Sequence, residues 1–254
     1  MNKEQLLGSQ TAKNGFINED DIVNKFNNWK NDEDAKKWLL IMQYNLAEIE
    51  FVKAVKLSGF KTDVQAQVTV KLKQAIDVQN MQVKLVSNLQ GFNQIDKRWV
   101  DKYVEMWNIP NVIISILKRY TGEIVPTIPN PQDKRRMFAN EFEEKDQRLI
   151  LKWLNDNKTL IVSDILKGRG QFSAEWTLVA QKLNSNSRWI LKPMNFCLNY
   201  FGNGEIEITK RGNFKIGRIT MQRKGGDGGR NTANMLQFKL NPAELFDSEN
   251  LNRI

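Results

Sequence analysis

Between Phe51 and Ser87 apolar and polar side chains alternate in three successive runs, FVKAVKL, VQAQVTVKL and DVQNMQVKLVS, with turn chemistry at Ser58-Gly59 and around Lys73 to Asp77. A period of two sends every second side chain to the same face of a strand, so these runs predict three adjacent strands at about 52–57, 64–72 and 78–87. On both sides the period is helical. Ile22, Val23, Phe26 and Trp29 follow Asn18, which predicts a helix beginning near residue 19, and Trp38, Leu39 and Met42 predict a second over about 32–43.

After Asn88 the helical period returns in DKRWVDKYVEMW and in PNVIISILKRY, the second opened by Pro110. IVPTIPNPQ, residues 124–132, holds three of the six prolines and marks a boundary or a surface crossing. Beyond it KRRMFANEF, DQRLILKWLNDN and Leu160 to Leu166 read as helices, the last ending at Gly168. AEWTLVAQKL, EIEIT, KIGRITMQRK and NMLQFKL read as strands, with turns at GNG and GGDGG and a short helix after Pro242. The order of elements predicts one domain over 1–254, with sub-regions at 1–123 and 133–254 on either side of the 124–132 stretch.

The chain of 254 residues contains no histidine, which removes the usual general base of hydrolases and the usual zinc ligand. Its one cysteine, Cys197, lies in the apolar run MNFCLNYF and reads as a small buried side chain. What remains is chemistry by carboxylate, lysine and a hard metal ion. The formal net charge of +9 points to a polyanionic partner. No apolar run is long enough to span a bilayer and the N-terminus lacks the layout of a signal peptide, so the expectation is a cytoplasmic protein without a membrane partner.

One constellation supplies such chemistry. Thr62-Asp63 falls at the mouth of the second predicted strand, and Gln82-Val83-Lys84 lies on the third. Gln82 and Lys84 are two apart, so they leave the same sheet face. Phosphodiester hydrolysis requires a Lewis acid on the phosphate, an activated water and stabilisation of the charge that builds on phosphorus. Asp63 and the Gln82 amide oxygen, with the Val83 carbonyl, would bind Mg²⁺, and Lys84 would orient or deprotonate the water or steady the phosphorane. A D…QxK pattern is short, and Gln82 and Lys84 could equally be the solvated face of a half-exposed strand. Gln222-Arg223-Lys224 is a second QxK, with no aspartate placed to complete it.

The runs KAVKLSGFKTD, QVKLVSNLQGFNQIDKRW, DKRRMF, DILKGRG, AEWTLVAQK and ITMQRKGGDGGRNTANMLQFK closely resemble the HinP-one-I type of restriction endonuclease, and the likeness runs nearly end to end. That resemblance implies an α/β fold of the PD-(D/E)xK nuclease superfamily, a restriction-endonuclease-like mixed central β-sheet flanked by helices. It implies a type II enzyme that cuts double-stranded DNA at GCGC after the first G, leaving 5′ overhangs and 5′-phosphate ends, with Mg²⁺ as cofactor and Mn²⁺ as a substitute. It implies a DNA methyltransferase in the same system, as a functional and not a physical partner, and leaves a monomer or a homodimer open. Its (S/T)D…QxK motif matches Thr62, Asp63, Gln82 and Lys84. Glu19 and Asp21 resemble the helix carboxylate that many superfamily members aim at the metal, although acids at a helix N-terminus also favour the dipole.

Sequence-specific cutting needs a reader. Gly91-Phe92-Asn93-Gln94 follows the catalytic strand, where Phe92 could wedge between base pairs, or be tucked into the core, and Asn93 and Gln94 offer paired donors and acceptors. From Thr209 to Arg230 seven Lys or Arg residues face one acid, Asp227. Gln222, Arg223, Lys224, Asp227, Arg230 and Asn234 are the candidates there, arginine and lysine for guanine and a carboxylate for cytosine. Lys97 and Arg98 serve phosphates, or solvent. Two other classes fit the same composition: a structure-selective repair nuclease and a catalytically silent DNA-binding module.

Overall fold

The computed structural model describes residues 3–57, 65–73, 75–183, 186–226 and 229–248. The first half runs through α1 (Lys3–Asn27), α2 (Glu33–Ile41), β1 (Ile49–Leu57), β2 (Gln65–Leu72), β3 (Ile76–Val86), β4 (Asn93–Arg98), α3 (Val100–Trp107) and α4 (Asn111–Thr121). The second half holds α5 (Glu144–Asp156), α6 (Lys158–Leu166), β5 (Trp176–Leu183), β6 (Asn186–Pro193) and α7 (Met194–Gly202). It closes with β7 (Ile206–Ile208), β8 (Phe214–Ile216), β9 (Ile219–Arg223), β10 (Leu236–Leu240) and α8 (Glu244–Asp247). The fold is α/β, with two five-stranded sheets flanked by helices.

The chain forms two compact units that interleave in sequence. One takes Leu7–Asn93, Lys167–Cys197 and Asn241–Ile254. Its sheet has the order β1-β2-β3-β5-β6, with β1, β2 and β3 antiparallel, β3 and β5 parallel, and β5 and β6 antiparallel. This sheet therefore draws strands from both sides of the proline-rich 124–132 stretch. Ile22 and Phe26 of α1 and Ala35, Trp38 and Leu39 of α2 form one core with Val52, Ala54, Val68, Val70, Met81, Val83, Leu178 and Leu191. The alternating positions of β1 to β3 supply one face of the sheet, and the helical stripes cover it. Asp32 caps α2 by accepting from the Ala35 N–H at 2.9 Å.

The other unit takes Met1–Leu6, Gln94–Leu166 and Leu198–Leu240, and its sheet has the order β4-β10-β9-β8-β7. Tyr103 stacks on Trp107 at 4.6 Å between ring centres, and Phe238 of β10 meets both rings edge-on. The Trp107 indole N–H donates to buried Asp164 at 2.8 Å, and the Tyr120 hydroxyl donates to the Met221 carbonyl at 2.9 Å. These bonds satisfy polar atoms the core would otherwise strand.

The three strands expected between 51 and 87 fold as β1 to β3. Three sequence expectations are corrected. The first helix begins at Lys3 and not near 19: residues 3–18 lack an apolar stripe, but no proline stops the helix from extending backwards from Ile22 and Phe26. KRRMFANEF is not a regular helix. The Glu141 carboxylate accepts from the N–H groups of Gln132 and Phe138, each at 2.7 Å, and Asp133 from that of Arg135 at 3.0 Å, so side chains replace the helical ladder there. Asp96 to Arg98, expected to open the helix of DKRWVDKYVEMW, belong instead to β4 with Asn93 to Ile95, and the helix starts at Val100.

Candidate active site and DNA-reading segments

Burial changes along β3: its first half is exposed or half-buried, and from Asn80 onward it is almost wholly enclosed. Gln82 pairs with Gln65 on β2 and Thr177 on β5, and Lys84 pairs with Val179. Met81 and Val83, which alternate with them, face the core beneath α1 and α2, so Gln82 and Lys84 share the opposite face. Gln82 is 3% exposed and Lys84 6% exposed, which removes the solvated-face alternative for this strand. An amide and an ammonium carried to that depth cost free energy unless polar groups meet them, so a purely structural sheet would gain by replacing them with apolar side chains.

The segment that holds this pair is locked at its start. The Asn80 N–H donates to a Glu175 carboxylate oxygen at 3.0 Å, the Glu175 N–H to the Asn80 carbonyl at 2.8 Å, and the Asn80 amide to the Gln171 carbonyl at 2.9 Å. On the core side the Trp176 indole donates to Gln79 at 2.6 Å, and Gln79 and the Tyr44 hydroxyl both donate to Asp77, at 2.8 and 2.6 Å. Burial would raise the Asp77 carboxyl, but those two hydrogen bonds outweigh it and hold it below the usual carboxylate range, while burial and Asp77 push the Tyr44 hydroxyl up.

Thr62 and Asp63 lie outside the described residues. β2 begins at Gln65, the partner of Gln82 and two residues after Asp63 in sequence. Glu19 is 8% exposed and shares the α1 stripe of Ile22 and Phe26. It stands in the middle of a helix that starts at Lys3, so the helix dipole does not explain it. Ile22 and Phe26 pack in the core of Met81 and Val83, whose positions alternate with those of Gln82 and Lys84. Among the described residues no group of three Asp, Glu, His or Cys side chains gathers to hold a metal. The donor set expected from the sequence, the Asp63 carboxylate, the neutral Gln82 amide and the Val83 carbonyl, is poor in charge. Such a set fits Mg²⁺, which keeps several waters and leans on substrate phosphate, better than an ion that needs a full protein cage.

Phe92 is 53% exposed, so it is not tucked into a core. The turn before it is held by Asn88, which accepts the Gln90 N–H at 3.0 Å on its side chain and the Gly91 N–H at 3.0 Å on its carbonyl. Asn93 donates to the Leu85 carbonyl at 3.3 Å, and Gln94 and Lys97 are half-buried on β4. Arg98 is paired with buried Asp96 at 3.1 Å, which also accepts the Tyr103 hydroxyl at 2.8 Å.

In the other candidate segment Gln222 pairs with Gln237 on β10, Lys224 is half-buried and Arg230 is exposed, while Asp227 lies outside the described residues. Arg223 and Asn234 are bonded to each other and to the end of α4: Arg223 donates to the Thr121 carbonyl at 2.9 Å and to Asn234 Oδ1 at 2.7 Å, and Asn234 donates to the Gly122 carbonyl at 2.9 Å. Charge density along the sequence gave no sign of this contact. Gly122, the left-handed residue that ends α4, was its one available signal.

A helix, an antiparallel three-strand meander whose last strand carries the polar pair, and a parallel fourth strand together define the fold of a restriction endonuclease. The crystal structure of restriction endonuclease MspI in complex with its cognate DNA is similar in fold, with a TM-score of 0.65 at 13% identity over 94% of this chain and 93% of that one. Residues 42–246 match the family described as R.HinP1I restriction endonuclease, and the chain belongs to that family. It is therefore a type II site-specific deoxyribonuclease. No curated protein matches the chain. No helix among the described residues is long and apolar enough to cross a membrane.

Proposed function

We propose that this endonuclease is a Mg²⁺-dependent enzyme of the PD-(D/E)xK type that cuts double-stranded DNA at GCGC, after the first G, with Asp63, Gln82 and Lys84 as its hydrolytic centre. The observation that carries the site is the enclosure of Gln82 and Lys84 on one face of β3, in a mixed sheet where an apolar pair would be less costly. The site sequence rests on membership of the R.HinP1I family. Duplex DNA as substrate is supported by the net charge of +9 and by the DNA that MspI holds in its crystal structure.

Asp63 and the Gln82 amide oxygen, with the Val83 carbonyl, would hold the ion, whereas Glu19 lies on the α1 stripe that packs with Met81 and Val83, on the face opposite Gln82 and Lys84. When bound, the metal supplies Lewis-acid polarisation of the scissile phosphate and lowers the pKa of a coordinated water. Lys84 orients the attacking water and, as an ammonium, offsets the negative charge that accumulates on the phosphorane oxygens. The water oxygen forms a bond to phosphorus in line with the O3′ that departs. Cleavage leaves a 3′-hydroxyl and a 5′-phosphate, and no covalent enzyme intermediate forms. Thr62 precedes the aspartate and completes the family's (S/T)D pair.

Digestion of plasmid DNA with Mg²⁺, and with Mn²⁺ in a parallel tube, followed by sequencing of the cut ends, tests the reading. Fragments all ending at G^CGC with two-base 5′ overhangs are expected. Nicks that follow DNA structure, or binding without cutting, would contradict it. The same assay on DNA methylated in the site addresses the companion methyltransferase, and sedimentation with and without DNA decides between monomer and homodimer.

A further inference from the structure

We propose that Arg223 and Asn234 are positioning residues: they staple the flanks of the glycine-rich segment after β9 to the last turn of α4, and so set where that segment meets the DNA. The inference rests on reading residues 209–230 as DNA-facing.

Arg223 pairs with Leu236 and alternates with Gln222, so it leaves β9 on the same face as Met221 and Phe238. That face belongs to the helices, since Phe238 packs on Tyr103 and Trp107 of α3. There the guanidinium meets protein acceptors. Its Nε donates to the Thr121 carbonyl at 2.9 Å and its Nη2 to Asn234 Oδ1 at 2.7 Å. The Asn234 amide then donates to the Gly122 carbonyl at 2.9 Å. The carbonyls at a helix C-terminus have no intrahelical donors, and these two side chains supply them.

The joint is tight. Gly122 has φ +86°, and a Cβ there would lie 2.4 Å from the Arg135 carbonyl and 3.4 Å from Asn234 Oδ1. Past β9 the ladder continues for two more bonds, Lys224 N–H to the Met235 carbonyl at 2.8 Å and Gly225 N–H to the Ala233 carbonyl at 2.9 Å. Gly225 then turns with φ +65°, and a Cβ on it would meet nothing within 4 Å. The staple thus holds the two flanks of the segment, Arg223 on one side and Asn234 on the other, while added Cβ atoms at Gly225, Gly226 and Gly229 would meet nothing within 4 Å. A guanidinium that reads guanine offers two parallel N–H groups to O6 and N7, whereas the Nε and Nη2 edge of Arg223 is committed inside the protein.

The test compares Arg223→Gln, Asn234→Ala, Gly122→Ala and Lys224→Ala for kcat and KM on GCGC duplexes and on duplexes changed at each position of the site, with Tm in parallel. The expected result is that Arg223→Gln, Asn234→Ala and Gly122→Ala share one phenotype: a roughly tenfold fall in the preference for GCGC, spread over several positions of the site. Arg223→Lys, which keeps one donor for the Thr121 carbonyl, should recover part of it. Loss of discrimination at a single base pair in Arg223→Gln would make it a base reader and overturn the proposal. A lowered Tm with unchanged kcat, KM and preference would make the staple a plain strut and also overturn it. An unchanged Lys224→Ala enzyme would instead remove the reading of the whole segment as DNA-facing. Asn234→Asp, which keeps the acceptor for Arg223 and drops the donor to Gly122, is the milder variant should Arg223→Gln not fold.

Discussion

Asn80 and Glu175 hold each other twice, the Asn80 N–H on the Glu175 carboxylate at 3.0 Å and the Glu175 N–H on the Asn80 carbonyl at 2.8 Å. The two residues join β3 to the start of β5, two positions before Gln82 and four before Lys84. The side-chain bond satisfies a backbone N–H that the parallel ladder has not yet reached.

Glu175→Ala should therefore lower stability by about 1–2 kcal/mol, the cost of one charge-assisted bond to a backbone donor. Denaturant unfolding measures it. Because the register of β3 against β5 sets where Lys84 stands, kcat should fall more than KM rises, and an unchanged kcat would show that the clamp is not needed to align the strand.

Replacing the neutral ligand with a charged one tests the role of Gln82. A glutamine leaves one less negative charge beside a divalent ion, so the free enzyme should bind Mg²⁺ weakly and gain affinity when DNA brings its phosphate. Gln82→Glu should bind Mg²⁺ more tightly without DNA. Calorimetry that finds no gain would count against this account of the donor set.

Phe92 is exposed in the free protein. Phe92→Ala should leave Tm within about 1 °C, since little core packing is lost. If the ring wedges into the duplex, kcat/KM for site cleavage should fall at least roughly tenfold, and a fluorescent base analogue placed at the site should no longer report unstacking.

Cys197 is buried, and desolvation pushes its thiol from an ordinary value of 9.0 up to about 11, against a smaller opposing hydrogen bond from Thr177. A raised folded-state value means that the neutral thiol favours the fold. Its contribution is complete below about pH 9 and is lost as pH rises towards 11. Stability measured from pH 8 to 11 should drop less in Cys197→Ala than in the unmodified chain. The native thiol should also resist alkylation at pH 8 until denaturant is added, and fast labelling in native buffer would contradict the burial.

β1, β2 and β3 were legible because the period of two survives in the sequence, even in β3, where both faces are enclosed from Asn80 onward; the pairing of Gln82 with Lys84 followed from the same period. β6 was not legible. Its segment, NSRWILKP, opens with Asn and Ser, ends in proline and lies at the edge of its sheet, where strand signals are weakest. Arg223 shows a second limit. In sequence it is one of seven basic residues in a run, and only the fold separates a cation that closes a helix from one that faces solvent. Glu19 shows a third, since an acid at a helix start and an acid in the middle of a buried stripe look alike until the start of α1 is known.

The central claim is that Lys84 acts on the reacting phosphate. The most direct measurement is single-turnover cleavage of a GCGC duplex by Lys84→Ala at saturating enzyme, with the Kd for the same duplex measured in Ca²⁺. The account predicts a cleavage rate lowered by at least about 10³-fold, with Kd changed less than about fivefold, and the same split for Asp63→Ala. Cleavage by Lys84→Ala at the rate of the unmodified enzyme would contradict it.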